Sequence, residues 1–434
     1  MARFLITAMP FTGHVLQLSA VAEALVERGH EVRFYTGSAF ARQVESAGAR
    51  FIPWREAPDF DETDVAATFP RLRGSRGLGQ IVRTLEELFL GTSPGQLRDL
   101  QAEWYREPWD VLVGDEASLG PAFAAERTRC AWATVCALPL GLPSDEGPPH
   151  GLGLRPGQDA WSRSRDEWMR RLSPIAMRPV AGRLARVRSD AGLGPSPARF
   201  DEAAFSRQLI LATGVPALDH ERTDRPSHLH FVGRLAPSTP IGRTLPEWWT
   251  DLEGRRVVHV TQGTQNVDPR DLLQPALAAL ADDDVLVVAT SGLADGEEPP
   301  LPLPRNARVS SFVPHDALLP HAEAVITNGG WGGVLAALSH GIPLLVAGGD
   351  LDKPEVAARV AQAGAGIDLR GARPSPRTVG RAYRALTTDA SYRATAERIA
   401  AELAAAGGAA RAAELLEDLA ARRREPTRTG TAGA

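Results

Sequence analysis

Two segments carry side chains and backbone suited to chemistry: Asn328-Gly329-Gly330-Trp331-Gly332-Gly333, and Asp350-Leu351-Asp352-Lys353-Pro354-Glu355. Four glycines in six residues let a backbone approach a ligand closely and aim its N–H groups at it. With a helix following, the positive dipole end adds to that pull, which suits a phosphate or pyrophosphate. The turn is neither the Walker pattern, which ends in Gly-Lys-Ser/Thr, nor G-x-G-x-x-G. Its bland alternative is a turn kept tight only for strand–helix packing. Lys353 is the one lysine in 434 residues, every other basic chain being Arg. A compact ammonium surviving such a bias marks either chance or a site where a guanidinium fork does not serve. A third candidate is His14, in Phe11-Thr12-Gly13-His14-Val15. Imidazole is the natural base near neutral pH and can take a proton from a hydroxyl; its alternative role is to cap the helix that follows.

The elements that must hold these residues read as strand–helix alternation. Phe4 to Ala8 is an apolar run, Pro10 to Gly13 a turn, Leu18 to Arg28 a helix stopped by Gly29, and Val32 to Tyr35 a second strand. Val111 to Val113, Trp132 to Leu138 and Leu209 to Ala212 continue the sheet. Pro139 to Pro156 is a Gly- and Pro-rich loop, and Trp161 to Arg188 an Arg-rich helical region with a solvated face. After Pro237 to Gly254, the expected linker, the pattern restarts. Strands are expected at Val257 to Val260, Val285 to Ala289, Val309 to Phe312, Ala324 to Thr327 and Leu344 to Ala347, with a helix from Pro269 to Leu280. The division is therefore 1–236, linker 237–254, 255–423 and a tail 424–434. Two doubly wound α/β domains put a cleft between the carboxyl ends of their sheets, where ligands of such sheets bind.

Phe312-Val313-Pro314-His315, the Gly-rich turn, Gly341-Ile342-Pro343 and the Asp-Leu-Asp-Lys-Pro-Glu segment together resemble the donor signature of family 1 nucleotide-sugar glycosyltransferases, nearest to bacterial macrolide and polyketide enzymes. The resemblance implies the GT-B fold: two Rossmann-like domains facing each other across a cleft, the first binding the acceptor and the second the donor. It places base stacking on Phe312, where the family often has Trp, and base or ribose contact on His315, where it often has Gln. Asn328 replaces the phosphate-binding His, and its amide can donate but cannot become cationic. Ala336 replaces the acidic residue that holds ribose hydroxyls. Asp352-Lys353 stands for the Asp-Gln pair that grips the sugar. Thr264, in the turn Thr261 to Thr264, matches a small-residue position near the phosphates. Gly329, Gly330, Trp331, Gly332 and Gly333 complete the donor set.

In the first domain, His14 resembles the family's catalytic base, with Gln17 where Pro is common. Asp115, just past the strand Val111 to Val113, fits the position of the carboxylate that fixes the imidazole tautomer and stabilises imidazolium. Of its rivals, Asp110 precedes the strand and Glu116 alternates to the other face. In-line attack with one base inverts the anomeric centre. No metal and no cofactor beyond the nucleotide-sugar co-substrate is expected; Mg²⁺ on Asp350 and Asp352 is the alternative. Phe69, Phe89, Leu138, Trp161 and Trp168 are the candidate acceptor-binding residues, in a half holding six of nine tryptophans, and core packing explains such aromatics equally well.

Net charge near −5 gives no support for nucleic acid as partner. Two cysteines in an apolar segment, Cys130 and Cys136, form no metal pattern or disulfide framework. No run reaches the roughly 18 apolar residues of a membrane span. A cytoplasmic protein without stable membrane association, monomeric or homodimeric, is the expectation. The rival functions are a nucleotide-sugar-binding protein without transfer activity, a sugar-nucleotide epimerase, and an NAD-dependent oxidoreductase. The last lacks G-x-G-x-x-G after either opening strand.

Overall fold

The computed structural model describes residues 1–74, 77–196, 198–237, 245–263, 268–292, 302–349 and 351–424. Thr264, Asp350 and residues 238–244 of the expected linker lie outside them. The first sheet contains β1 (Arg3–Thr7), β2 (Glu31–Thr36), β3 (Arg50–Pro53), β4 (Val111–Asp115), β5 (Ala131–Cys136), β6 (Ile210–Ala212) and β7 (Leu229–Phe231). The second contains β8 (Val257–Thr261), β9 (Leu286–Thr290), β10 (Ala307–Ser310), β11 (Ala322–Thr327), β12 (Leu344–Val346) and β13 (Gly366–Asp368). Their orders are β3-β2-β1-β4-β5-β6-β7 and β10-β9-β8-β11-β12-β13, and all these pairings are parallel.

Composition explains this choice. β4 reads Val-Leu-Val-Gly-Asp and β9 Leu-Val-Val-Ala-Thr, and every residue of both is buried. Strands covered by helices on both faces lose polar alternation, as parallel sheets require. Side chains still divide by face: Phe4 and Ile6 of β1 join Val21 and Leu25 of the helix Thr12–Glu27, while Leu5 joins Leu97 and Leu100 on the opposite side.

The strands that sequence reading did not find, β3, β7 and β13, each lie at the end of a sheet. Strands this short offer too few residues for a period to register. The first helix begins at Thr12, not Leu18, so His14 stands in its first turn. The last helix, Gly408–Arg424, differs from the expected domain division. Its Ala412, Leu416 and Ala420 join the core under β1 and β4, and Glu417 meets Arg28 and His30 at 2.6 Å each. The apolar stripe of this helix packs on the first sheet, although the chain reaches it only after the second is complete.

In each sheet the chain reverses direction of growth at one point: between β1 and β4, and between β8 and β11. Loops leaving the carboxyl ends of such a pair diverge and open a crevice. His14 follows β1 and Asp115 ends β4. The Gln262–Gly263 turn follows β8 and the Gly-rich turn follows β11. These candidates thus gather at the two crevices.

Candidate active site

The helix Thr12–Glu27 has no side-chain hydrogen bond at its N-cap, Phe11, so His14 does not cap it. Glu62 instead accepts the Thr12 N–H at 2.9 Å and fixes the opening turn. His14 is 9% exposed and directs Nδ1 at both oxygens of Asp115, 3.0 and 2.8 Å away. Asp115 is buried and held in turn: its carboxylate accepts the Met9 N–H at 2.9 Å and the Ala117 N–H at 3.0 Å. A carboxylate fed by two amides keeps its charge, and it keeps the imidazole proton on Nδ1, leaving Nε2 as the basic nitrogen. Burial alone would lower the His14 pKa, but Asp115, by charge and hydrogen bond, outweighs it and raises the value from 6.5 to about 9. The Asp115 carboxyl is pushed up by burial and pulled down further by His14, ending below its ordinary range.

Asp110 accepts the Arg3 N–H at 2.8 Å, at the opposite end of the sheet. Glu116 departs from expectation. Strand alternation predicts it on the other face, yet it lies beside Asp115 because the chain leaves extended geometry there. Its carboxyl accepts the Ala137 and Leu138 N–H groups at 3.0 and 2.7 Å. Burial and then the Asp115 charge push its pKa well above the usual carboxylate value. Among the described residues, ligand atoms of His14, Asp115 and Glu116 are the one cluster close enough to share an ion, all within 4.8 Å of one another. The hydrogen bonds just described already engage those atoms, so this donor set suits proton handling better than coordination.

Across the gap, Gly330 precedes the helix Trp331–Ser339, whose N-cap has no side-chain partner. Gly330 and Gly332 are exposed, and a Cβ at Gly332 would lie 4.0 Å from Gln17 Nε2 in the first domain. Gly329 has φ +95°, and a Cβ there would come within 2.9 Å of Val346; only glycine fits both demands. The Asn328 amide donates to the Gln262 carbonyl, tying the β8 turn to the β11 turn across the second crevice. The sequence expectation gave that amide to a diphosphate; here its structural partner is the neighbouring turn. The Trp331 side chain has a structural partner as well. It is 3% exposed, and its indole N–H donates to Thr213 Oγ1 of the first domain at 2.9 Å. Its side chain ties the two domains together.

His315 lies 3.8 Å (Cε1) from where a Gly333 Cβ would stand, and Lys353 Cβ 3.6 Å from that of Gly329. The turn is therefore bracketed by both. Burial and then Arg234 lower the His315 pKa, so the ring stays neutral and offers one donor and one acceptor, the complement an amide would supply. It packs edge-on against His259, ring centroids 5.5 Å apart. His259, buried in β8 and unnoticed in the sequence, donates from Nδ1 to Val288 O at 3.0 Å. Phe312 is half-buried just past β10. Asp352 stands at the N-cap position of the helix Lys353–Gln362 without a side-chain capping bond; burial raises its pKa while Lys353 and His14 oppose the rise.

The candidate acceptor residues scatter. Phe69 is core, 7% exposed, its ring 5.5 Å from Phe60, and Phe89 packs against the same cluster. Leu138 is half-buried and adjoins Glu116. Trp161 and Trp168 are 76% and 59% exposed on the helix Ala160–Ala176. Phe11, to which sequence reading gave no role of its own, stands between His14 and Phe60, 5.9 and 5.2 Å from them.

Residues 274–419 match the family described as erythromycin biosynthesis protein CIII-like, C-terminal domain. The chain is 40% identical over 421 residues to 4'-demethylrebeccamycin synthase of Lentzea aerocolonigenes, across 96% of this chain and 99% of that one. This chain belongs to the family 1 nucleotide-sugar glycosyltransferases. A second relative of this glycosyltransferase, UDP-glucosyltransferase B1 of Starmerella bombicola, is 31% identical over 419 residues, 91% of this chain and 93% of its own. The glycosyltransferase of kitacinnamycin superposes with TM-score 0.74 at 20% identity, covering 96% of this chain and 98% of that one. VinC in complex with dTDP superposes at 0.67 and 24% identity, covering 97% and 100%. These structures share the GT-B fold with it. Among the described residues, no helix of the glycosyltransferase is long and apolar enough to cross a membrane.

Proposed function

We propose that this glycosyltransferase moves a hexosyl group from a nucleoside-diphosphate sugar, UDP- or dTDP-linked, to a hydroxyl of a hydrophobic natural-product aglycone, with inversion. The carrying observation is the buried His14–Asp115 pair in the first domain, 2.8 Å apart, set opposite Asp352 and the open helix N-terminus of the second. The acceptor oxygen attacks the anomeric carbon while His14 Nε2 takes its proton. The C1–O bond to the diphosphate breaks and its electron pair leaves with the phosphate. Backbone N–H groups of the Gly-rich turn meet that charge, and Lys353 supplies the cation that Asn328 does not. Phe312 and His315 face the base, and Asp352 accepts sugar hydroxyls. Asp115 positions His14 and stabilises imidazolium. The names of the relatives, a rebeccamycin-pathway synthase and UDP-glucosyltransferases, support the acceptor and donor classes. The reading needs no metal, so EDTA leaves the rate unchanged.

The test mixes purified protein with UDP-glucose, dTDP-glucose and a panel of hydrophobic phenols and macrolides. Mass spectrometry then looks for hexose addition, and NMR coupling reads the new anomeric bond. A β-linkage from an α-donor is expected. A retained α-linkage sinks the single-base mechanism, and absence of transfer from every nucleotide sugar sinks the reading.

A further inference from the structure

Glu355 lies in the first turn of the helix Lys353–Gln362, close after Asp352, and is only 1% exposed. A carboxylate near a helix N-terminus is ordinary; a fully buried one must be compensated. Its partners come largely from the other domain. Oε2 accepts the Gly151 and Gly153 N–H groups at 3.2 and 3.3 Å. Oε1 faces His220 Nε2 at 3.2 Å, Arg359 Nε at 3.1 Å and His150 Nδ1 at 3.6 Å. Arg359 carries the link onward to Asp219 at 3.1 Å and the Leu140 carbonyl at 2.8 Å. Gly153 has φ +63°, and a Cβ there would stand 2.6 Å from Pro354 Cβ, so the loop is seated directly on the helix turn.

That loop is the continuation of β5. It passes Leu138, bound through its N–H to Glu116 beside the catalytic pair, then Leu140, bound to Arg359, then His150 to Gly153, bound to Glu355. Hydrogen bonds at Leu138, Leu140, Gly151 and Gly153, joined by the covalent chain between them, therefore connect the His14–Asp115 site to the residues flanking Asp352 and Lys353. We propose that Glu355 is a positioning residue for glycosyl transfer: it fastens the 150–153 loop of the first domain to the helix that presents Asp352 and Lys353, fixing the sugar relative to His14. This rests on the reading above that Asp352 accepts the sugar hydroxyls while Lys353 beside it meets the diphosphate.

The experiment compares full-length wild type with Glu355→Ala and Glu355→Gln. Hydrogen exchange of the peptide spanning residues 147–156 reads the clasp without reference to activity. Calorimetry compares the free nucleotide, UDP or dTDP, with its glucose conjugate. In Glu355→Ala the loop exchanges faster, the conjugate weakens about tenfold or more, kcat falls with it, and the free nucleotide, which makes no contact with Asp352, weakens less. Glu355→Gln, which still accepts the two glycine N–H groups, recovers part of the exchange protection and part of kcat. Unchanged loop exchange in Glu355→Ala overturns the proposal. Equal weakening of nucleotide and conjugate, with a lowered Tm, assigns Glu355 a structural role only. A wild type that transfers no sugar removes the catalytic reading instead, and leaves the exchange result to decide the clasp.

Discussion

His14 of the first domain and Asp352 of the second lie near enough across the gap that each favours the charged form of the other. The proposed base and the carboxylate proposed to grip the sugar therefore belong to separate halves of the chain, and their spacing is set by how the halves dock. Trp331 bonding Thr213, and Glu355 holding Gly151 and Gly153, are among the contacts that join the halves.

Removing the base should cost more than removing its partner. His14→Ala lowers kcat by about 10²- to 10⁴-fold, the usual worth of a positioned general base, and Asp115→Asn loses somewhat less. Steady-state rates with one accepted nucleotide sugar and aglycone check this. Donor affinity by calorimetry stays near wild type in both, because neither residue is placed at the nucleotide.

Transfer should be favoured by alkali. The free enzyme holds His14 protonated up to about pH 9, so kcat/KM climbs with pH and levels near that value. In Asp115→Asn the opposing charge is gone, burial then dominates, and the acid limb moves to lower pH. The sign for stability is opposite. A pKa raised from 6.5 to about 9 on folding stabilises the protein fully below 6.5, and that contribution fades as pH rises through 9. The Tm difference between wild type and His14→Gln accordingly narrows over that range; a difference that widened with pH would refute the charged pair.

Lys353 and the Gly-rich turn share one anion in this reading. Lys353→Ala should weaken nucleotide-sugar binding more than Lys353→Arg, measured by calorimetry at fixed ionic strength. Equal affinities in all three proteins would detach Lys353 from the donor.

Trp331→Phe and Thr213→Val each remove one end of the 2.9 Å interdomain bond and leave the other buried. Each should destabilise by about 1–3 kcal/mol, and the double variant by less than the sum. Denaturant melts of the four proteins give the coupling.

Phe69→Ala should act through stability, losing about 3–5 kcal/mol as a truncated core aromatic does. Trp168→Ser should stay within about 0.5 kcal/mol of wild type, its side chain being largely in solvent. A changed acceptor preference in Trp168→Ser with unchanged Tm would return that residue to the acceptor site.

The donor motif was legible because its chemistry is local. A Gly-rich strand-to-helix turn keeps its N–H groups wherever the domain sits, and the strands that carry it are continuous apolar runs such as β9 and β11. His14 was legible for the same reason, as an imidazole just past an opening strand. Glu116 was misread because alternation holds only while the backbone stays extended, and it ceases to at Asp115. Phe69 and Trp331 look like ligand-facing aromatics in sequence, where an aromatic in a core and one in a pocket have the same signature.

The amino-acid order alone determined two doubly wound sheets, the crevice ends of their strands, and the residue types offered there. Only the folded chain decided which neighbours those residues take. It spent the Asn328 amide on the Gln262 carbonyl, sent the indole of Trp331 to Thr213, and returned the helix Gly408–Arg424 to the first core. It also brought Glu355 under a loop some two hundred positions earlier in the chain. Periodicity and short motifs record what a segment does to its own backbone; contacts between distant segments follow from packing two finished surfaces, and no local pattern encodes those.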